Sequence, residues 1–306
     1  MNFVKPKFWK KNNLIVFILW PLTLFTILVN ILKKLQIPYK PNIPTICIGN
    51  IYLGGTGKTQ LVLKINQILK KKYNLFVIKK YYTNQIDEQI LLKKNTKLIL
   101  PKKRINGLKK LEKEKKNLVV FDDGLQDKSI KYGLSIVCFN SLSSIGNGKL
   151  LPAGPLRENL SELKNYDAVF INGKINKNLV HKIRNKNKNI KIFYGKYYLK
   201  NKKNFNKKFK YLAFCGIGTP ESFFNLLNEN KIKIAKKVIY PDHYNYKISD
   251  IENIKKIADL NNYKIVTTEK DFVKIKKLKN LSIKFTVADL YINKSNSFKK
   301  FILKNI

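Results

Sequence analysis

The run "GNIYLGGTGKT", residues 49–59, holds the residue types that cradle a phosphate. Gly54, Gly55 and Gly57 let the backbone curl so that its N–H groups point inward at phosphate oxygens, and a helix opening near Lys58 adds its positive dipole end. Lys58 is then placed to reach β- and γ-phosphates, and the Thr59 hydroxyl to hold a magnesium ion. The match to G-x-x-x-x-G-K-[ST] is imperfect, because Tyr52 stands where the first glycine belongs. On pattern alone a plain glycine-rich turn from strand to helix competes with the phosphate loop.

A second group strengthens the nucleotide reading. Asp122 and Asp123 close the apolar run "LVVFDDG", at the carboxyl end of a strand, where ligands of open α/β sheets bind and where an acid supports a nucleotide's magnesium. Alone, Asp-Asp-Gly is equally a turn. The stretch "GNGKLLPAGPLREN", residues 146–159, gathers prolines and glycines around Arg157 and Glu158, which implies a constrained loop presenting an ion pair or a ligand arm. Asp87 and Glu88 in "YYTNQIDEQILLKK" read as ordinary helix-start acids, and His243 in "YPDHYNY" as a structural histidine beside tyrosines. Cys47, Cys138 and Cys215 lie far apart in apolar runs without metal-ligand spacing, so they read as buried thiols. Two histidines are too few for a metal cluster.

The elements that must position these residues alternate in type. Strands are expected at Thr45–Ile48, "NLFVIKK", "LVVFDDG" and "SIVCFN", with helical stretches between them, the pattern of a parallel sheet wrapped by helices. The lysine-rich "INGLKKLEKEKKN" reads as a solvated helix face. Residues 172–209 turn Lys/Asn-rich around a short strand-like "KIFYGKYYLK" and read as a connection. Beyond it, "KYLAFCGIG" and "YKIVTTEKDF" are strands. Thr219-Pro220-Glu221 opens one helix, and Ser249 with Glu252 forms a capping box for another. The expected layout is an N-terminal apolar helix over 1–40, a nucleotide-binding domain over 41–190, a linker over 191–209 and a smaller α/β domain over 210–306. In class terms this is an α/β chain with a P-loop NTPase-like parallel sheet, a second, smaller α/β domain and an N-terminal membrane-associated helix.

Residues 14–32 form 19 uncharged, mostly apolar positions with lysines on both flanks. A signal peptide is disfavoured, since no small-residue cleavage site follows. A spanning helix, a helix lying in the interface with a kink near Pro21, and a buried core helix all stay open. The chain carries a formal charge of +43, which raises nucleic acid as a partner, yet only Arg104, Arg157 and Arg184 among its 62 basic residues are arginine. Scarce arginine argues against specific nucleic-acid reading, whereas lysine serves well against an anionic membrane.

Taken together, "GNIYLGGTGKT", "FDDGLQ", "GNGKLLPAGPLRE", "GIGTPESFF", "PDHYNY" and "TTEKD" occur in the order and rough spacing of the tetraacyldisaccharide 4′-kinase family, which the chain resembles over nearly its whole length. "LLPAGPLRE" is the most specific block, and the family's own loop also lacks the first glycine. The resemblance implies ATP-dependent phosphorylation of the 4′-hydroxyl of an acylated glucosamine disaccharide 1-phosphate, with ATP and Mg2+ as cofactors. It implies an active site in a cleft between two α/β domains, at the cytoplasmic face of a Gram-negative inner membrane. The expected partners are that lipid and the anionic membrane surface, with no specific nucleic acid, and a monomer is expected.

By the same resemblance, Asp87 matches the catalytic base and His243 its partner, with Lys58 and Asp123 completing the catalytic set. Gly54, Gly55, Thr56, Gly57, Lys58, Thr59 and Gln60 match the nucleotide-binding loop, and Thr59, Asp122 and Asp123 the magnesium site. Glu88, Gln126, Arg157 and Glu158 match substrate-binding or positioning residues. Asp87 and His243 fall on different domains of the expected layout, so their pairing would require domain closure. Two positions depart from the family's habit: Lys79-Lys80-Tyr81-Tyr82 replaces Ser-Arg-Gly-Tyr, with Lys80 keeping a charge, and Asp127 replaces a histidine after "DDGLQ". The rival readings are another membrane-associated P-loop NTPase without a lipid acceptor, and a binding protein without activity.

Overall fold

The computed structural model describes residues 5–112, 117–276 and 283–306. The chain opens with α1 (Leu14–Leu19) and α2 (Thr23–Lys34). Strands and helices then alternate through β1 (Thr45–Gly49), α3 (Lys58–Leu69), β2 (Asn74–Lys79), α4 (Ile86–Asn95), β3 (Lys97–Ile99), α5 (Arg104–Glu112) and β4 (Asn117–Asp122). β5 (Leu134–Asn140), β6 (Ala168–Asn172), α6 (Lys177–Arg184) and β7 (Lys191–Leu199) follow. The remainder is β8 (Lys210–Cys215), α7 (Pro220–Glu229), β9 (Lys233–Ile239), α8 (Ile248–Leu260), β10 (Lys264–Thr268), α9 (Glu269–Ile275), β11 (Ile283–Thr286), β12 (Ala288–Ile292) and α10 (Ser295–Lys304).

Two sheets form, ordered β12-β7-β6-β5-β1-β4-β2-β3 and β11-β10-β8-β9. β1, β4, β5 and β6 are buried along their whole length, which is why they read as unbroken apolar runs. Parallel register sets Ile48 of β1 and Lys79 of β2 both against Asp122 of β4. Three strand ends therefore converge on one carboxylate. The four-stranded sheet is parallel throughout and carries one apolar cluster around Tyr211, Phe223 and Leu227 and another around Phe214, Ile251 and Ile254.

The chain divides into two compact units. The larger holds Lys5–Tyr82, Leu92–Lys196 and Tyr291–Ile306, and the smaller holds Thr83–Leu91 and Tyr197–Leu290. This division cuts the sequence differently from a simple N-terminal and C-terminal split. Thr83–Leu91, with the first turns of α4, groups with the smaller unit, while α10 returns to the larger one, its Phe298 packing on Phe170 and Phe193. Within the stretch 191–209 expected as a linker, the strand-like "KIFYGKYYLK" is β7, which joins the larger sheet.

Three local expectations change. The apolar run 14–32 is not one helix: α1 and α2 are separated at Trp20–Leu22, where Pro21 offers no N–H to the helical ladder. Among the described residues no helix is long and apolar enough to cross a membrane. The Ser249/Glu252 capping box is replaced by one set earlier, in which the Asp250 carboxylate accepts the Lys247 N–H at 2.8 Å and Ser249 lies inside α8. The helix expected from "INGLKKLEKEKKN" is α5 up to Glu112; residues 113–116 of that stretch lie outside the described residues.

α2 faces the protein with its polar side. Thr26, Asn30 and Lys34, four residues apart on one face, bind the Leu151 carbonyl at 2.7 Å, the Arg157 carbonyl at 2.9 Å and the Glu162 carboxylate at 2.6 Å. Leu24, Phe25, Leu28, Ile31, Leu32 and Leu35 are each more than half exposed. The helix is amphipathic in the opposite sense to one that buries its apolar stripe.

Candidate active site

In the larger unit the glycine loop leaves β1 and enters α3 as its residue types demand. Gly54 and Gly57 adopt φ of 124° and 90°, the left-handed region where a side chain is strained, and Gly57 is the N-cap of α3. Asn50 donates to the carbonyls of Tyr52 and Gly54 and ties the loop to the strand end. Tyr52, which occupies the missing glycine's place, is buried and pairs as an isolated antiparallel bridge with Leu156. The Leu53 N–H donates to the Pro155 carbonyl at 2.8 Å and the Arg157 N–H to the Ile51 carbonyl at 2.7 Å. The front of the phosphate loop is therefore an anchor for the "PAGPLRE" arm, and a glycine there would supply no ring to bury.

Asp123 has φ of 60°, a left-handed conformation that Asp tolerates better than most residues. Its carboxylate accepts from Arg157 Nη1 at 2.9 and 3.2 Å and lies 3.7 Å from Lys58 Nζ. Arg104 Nη2 donates to the Asp123 carbonyl at 2.6 Å, and its Nη1 to Asp127 at 3.3 Å. Burial works to raise the Asp123 carboxyl, but Lys58, Arg157, Lys79 and Arg104 together hold it far below the ordinary carboxylate range. Asp122 is fully buried; its Oδ2 accepts from Thr59 Oγ1 and from Lys79 Nζ, both at 3.2 Å.

Arg157 and Glu158 do not pair with each other. Arg157 goes to Asp123 and Gln126, while Glu158 accepts from Tyr166 at 2.6 Å, from Gln126 at 3.3 Å and faces Lys128 at 3.4 Å. Gln60 sits half-buried in the first turn of α3. Thr56 Oγ1 and Asp122 Oδ1 are buried without a hydrogen-bond partner. Among the described residues no three or more His, Cys, Asp or Glu group to hold a metal, but the Asp122 carboxylate, with one oxygen orphaned and the other 3.2 Å from the Thr59 hydroxyl, offers hard-oxygen donors. That combination suits Mg2+, which is held by one or two protein oxygens and completes its shell with water and substrate phosphates.

The smaller unit holds the second group. His243 Nδ1 lies 2.9 and 3.2 Å from the two oxygens of Asp87, which is 2 % exposed. Both residues belong to this unit, so their pairing is intrinsic to it and requires no domain closure. His243 has φ of 58°, and its N–H is held by the Gly216 carbonyl at 3.1 Å. Burial works to raise Asp87, but the hydrogen bond from His243 and the charge of Lys270 turn the balance and lower it. Burial opposes the imidazolium, yet the bond to Asp87 and the charge of Asp242 leave His243 raised. Glu88 pairs with Lys270.

Four charged residues of these groups escaped sequence reading: Lys79, Arg104, Lys270 and Asp271. Lys79, not Lys80, is the buried cation at the end of β2; Lys80 lies over the Tyr82 ring. The partners of Lys79, Arg104 and Lys270 stand 43, 19 and 182 residues away, so no local spacing signals them; Asp271 shows locally only as the acid three residues after its cap Thr268, while its contact with Gly216 spans 55 residues. All three cysteines are buried free thiols.

A parallel sheet whose central strand feeds a glycine loop, a lysine and a threonine, with a paired acid on the neighbouring strand, defines a P-loop phosphotransferase. Residues 15–306 match the family model described as tetraacyldisaccharide-1-P 4′-kinase, and the chain belongs to that family. It is similar to the tetraacyldisaccharide 4′-kinase of Pelagibacter ubique (strain HTCC1062), 43% identical over 99% of this chain and 98% of that one. The enzyme of the same name from Rickettsia canadensis (strain McKiel) is 34% identical over 98% and 96%. Among solved structures, an "apo" form of LpxK from Aquifex aeolicus in complex with ATP superimposes with a TM-score of 0.64, covering 95% of this chain and 96% of that chain at 21% identity. That likeness establishes the shared fold.

Proposed function

We propose that this kinase uses ATP to phosphorylate the 4′-hydroxyl of a tetraacylated glucosamine disaccharide 1-phosphate, a step of lipid A biosynthesis. Gly54 to Gln60 wrap the nucleotide phosphates, with Lys58 as their cation. Thr59, Asp122 and Asp123 would hold Mg2+, which would neutralise charge on the transferred phosphoryl group. Asp87 accepts the proton of the attacking hydroxyl, and His243 fixes its orientation and stabilises the carboxylate. Gln126, Arg157, Glu158 and Glu88 position substrate groups or the residues that touch them.

The observation that carries this reading is the buried Asp87–His243 pair in a chain of this family: a carboxylate held ionised and aimed by an imidazole is a base in waiting. The outward apolar side of α2 and its flanking lysines support placement on the cytoplasmic face of an inner membrane, lying in the interface where an acylated substrate resides. The test is incubation of the protein in detergent with labelled ATP, Mg2+ and the acylated disaccharide 1-phosphate. A bis-phosphorylated lipid is expected; folded protein that makes none overturns the assignment. ATP consumption without a lipid product favours an NTPase instead.

A further inference from the structure

The segment "TTEKD" forms the end of β10 and the start of α9, and three of its residues, Thr268, Lys270 and Asp271, reach toward the Asp87–His243 pair or its support. Thr268 caps α9, its Oγ1 accepting the Asp271 N–H at 3.1 Å and donating to Asp271 Oδ2 at 2.7 Å. Asp271, fully buried, uses the same carboxylate oxygen to accept the Gly216 N–H at 3.1 Å. Gly216 in turn offers its carbonyl to the His243 N–H. A chain of three contacts thus runs from the α9 cap to the backbone of the imidazole. Lys270, one residue before Asp271, turns to the other member: its ammonium donates to Glu88, the residue after Asp87 in the first turn of α4.

We propose that Lys270 is a positioning residue for the Asp87–His243 pair: bound to Glu88, its ammonium fixes the start of α4 and supplies the cation that balances the acids around Asp87. The inference rests on the reading of Asp87 as the base. Asp87 faces Glu88 on its own helix, His243 from the loop before α8 and Lys270 from α9, while Asp242 from that same loop faces His243 and Lys270. Three acids and one imidazole share that space, and Lys270 is the permanent cation among them. Burial opposes its charge, but Glu88 and Asp87 hold it ionised. Without its charge, the acids around the pair are less balanced, and the pair binds a proton more readily. Asp271 does the matching work for His243, so one short segment serves both partners.

The experiment follows His243 by NMR of the imidazole in the full-length protein, with His181, exposed on α6, as internal reference. In Lys270→Met the His243 midpoint moves to higher pH; in Lys270→Arg, which keeps the cation, it stays near that of the unaltered protein. In the kinase assay, kcat of Lys270→Met falls about tenfold on the acid side and converges with the unaltered protein on the alkaline side. A His243 midpoint unchanged in Lys270→Met overturns the proposal, as does an equal loss of kcat at every pH, the mark of a merely structural lysine. Should Lys270→Met not fold, Glu88→Gln supplies the opposite charge change. There the His243 midpoint falls, and an unchanged midpoint again overturns the proposal. Because the NMR titration needs no substrate, a moved midpoint without any kinase product would fail the functional reading and leave the electrostatic one standing.

Discussion

The two carboxylate centres keep their acids ionised by different means. Asp123 is surrounded by permanent cations, with Arg157 and Lys58 at its side chain and Arg104 at its carbonyl, while Lys79 holds its neighbour Asp122. Asp87 leans on an imidazole that itself titrates, backed by a single lysine. Under the proposed roles, the first centre is built for constancy beside highly charged phosphates, and the second to exchange a proton. Charge that must not move is supplied by lysine and arginine; charge that must move is supplied beside histidine.

Removing the base should have the largest effect. Asp87→Ala is expected to lower kcat about 10³-fold, or about 4 kcal/mol of barrier, and to leave KM for ATP within about twofold. Steady-state kinetics with the lipid acceptor checks it. A variant with near-normal kcat would show that Asp87 is a structural acid.

Lys79→Met attacks the other centre. It leaves the Asp122 carboxylate buried with the Thr59 hydroxyl but without its cation, and such half-broken pairs cost about 3 kcal/mol. Denaturant unfolding of the variant should show that loss. Unchanged stability would mean that the cation cage is not what keeps this centre constant.

His243→Asn separates the two means most directly. It should cost about 30-fold in kcat, within the range for a lost charge-assisted hydrogen bond, and move the acid limb of the pH profile upward. The sign follows from the shifts. Asp87 is lowered in the folded chain, so its stabilising contribution is present above its unfolded value and lost as pH falls through the folded one. His243 is raised, so its contribution is full below its unfolded value and disappears as pH rises through the folded one. The pair thus adds most stability between those two limits, and the variant's stability should differ least from the parent's outside them.

What was legible in the sequence follows the same division. The loop residues 54–60, Asp122, Asp123 and Arg157 announce themselves because they fall in three short local patterns, a glycine loop, an acid-ended strand and a proline-glycine arm. Asp87 and His243 carry no local signal; 156 residues separate them, and only resemblance to the kinase family pairs them. Even then, the assignment of Asp87 to the nucleotide-binding domain fails, because α4 begins within the smaller unit and ends in the larger one. Pro21 was visible as a kink and proved a full break. The inverted polarity of α2 was hidden, since Thr26, Asn30 and Lys34 look incidental in an apolar run until their carbonyl and carboxylate partners, more than a hundred residues on, are seen.

Composition hides a finer signal that yields the smallest prediction. Of 62 basic residues three are arginines, and two of them, Arg104 and Arg157, meet at Asp123. A lysine-rich chain that keeps arginine there points to geometry beyond charge. Arg104 uses two nitrogens at once, Nη2 on the Asp123 carbonyl and Nη1 on Asp127, which a single ammonium cannot span. Arg184 uses only Nη1, for the carbonyls of Lys188 and Ile190. Arg104→Lys should therefore destabilise by about 1 kcal/mol, the worth of one lost hydrogen bond, and Arg184→Lys by less than about 0.5 kcal/mol. Equal effects in the two variants would show that the cage around Asp123 works by the number of its charges alone; the expected inequality shows that it also works by their shape.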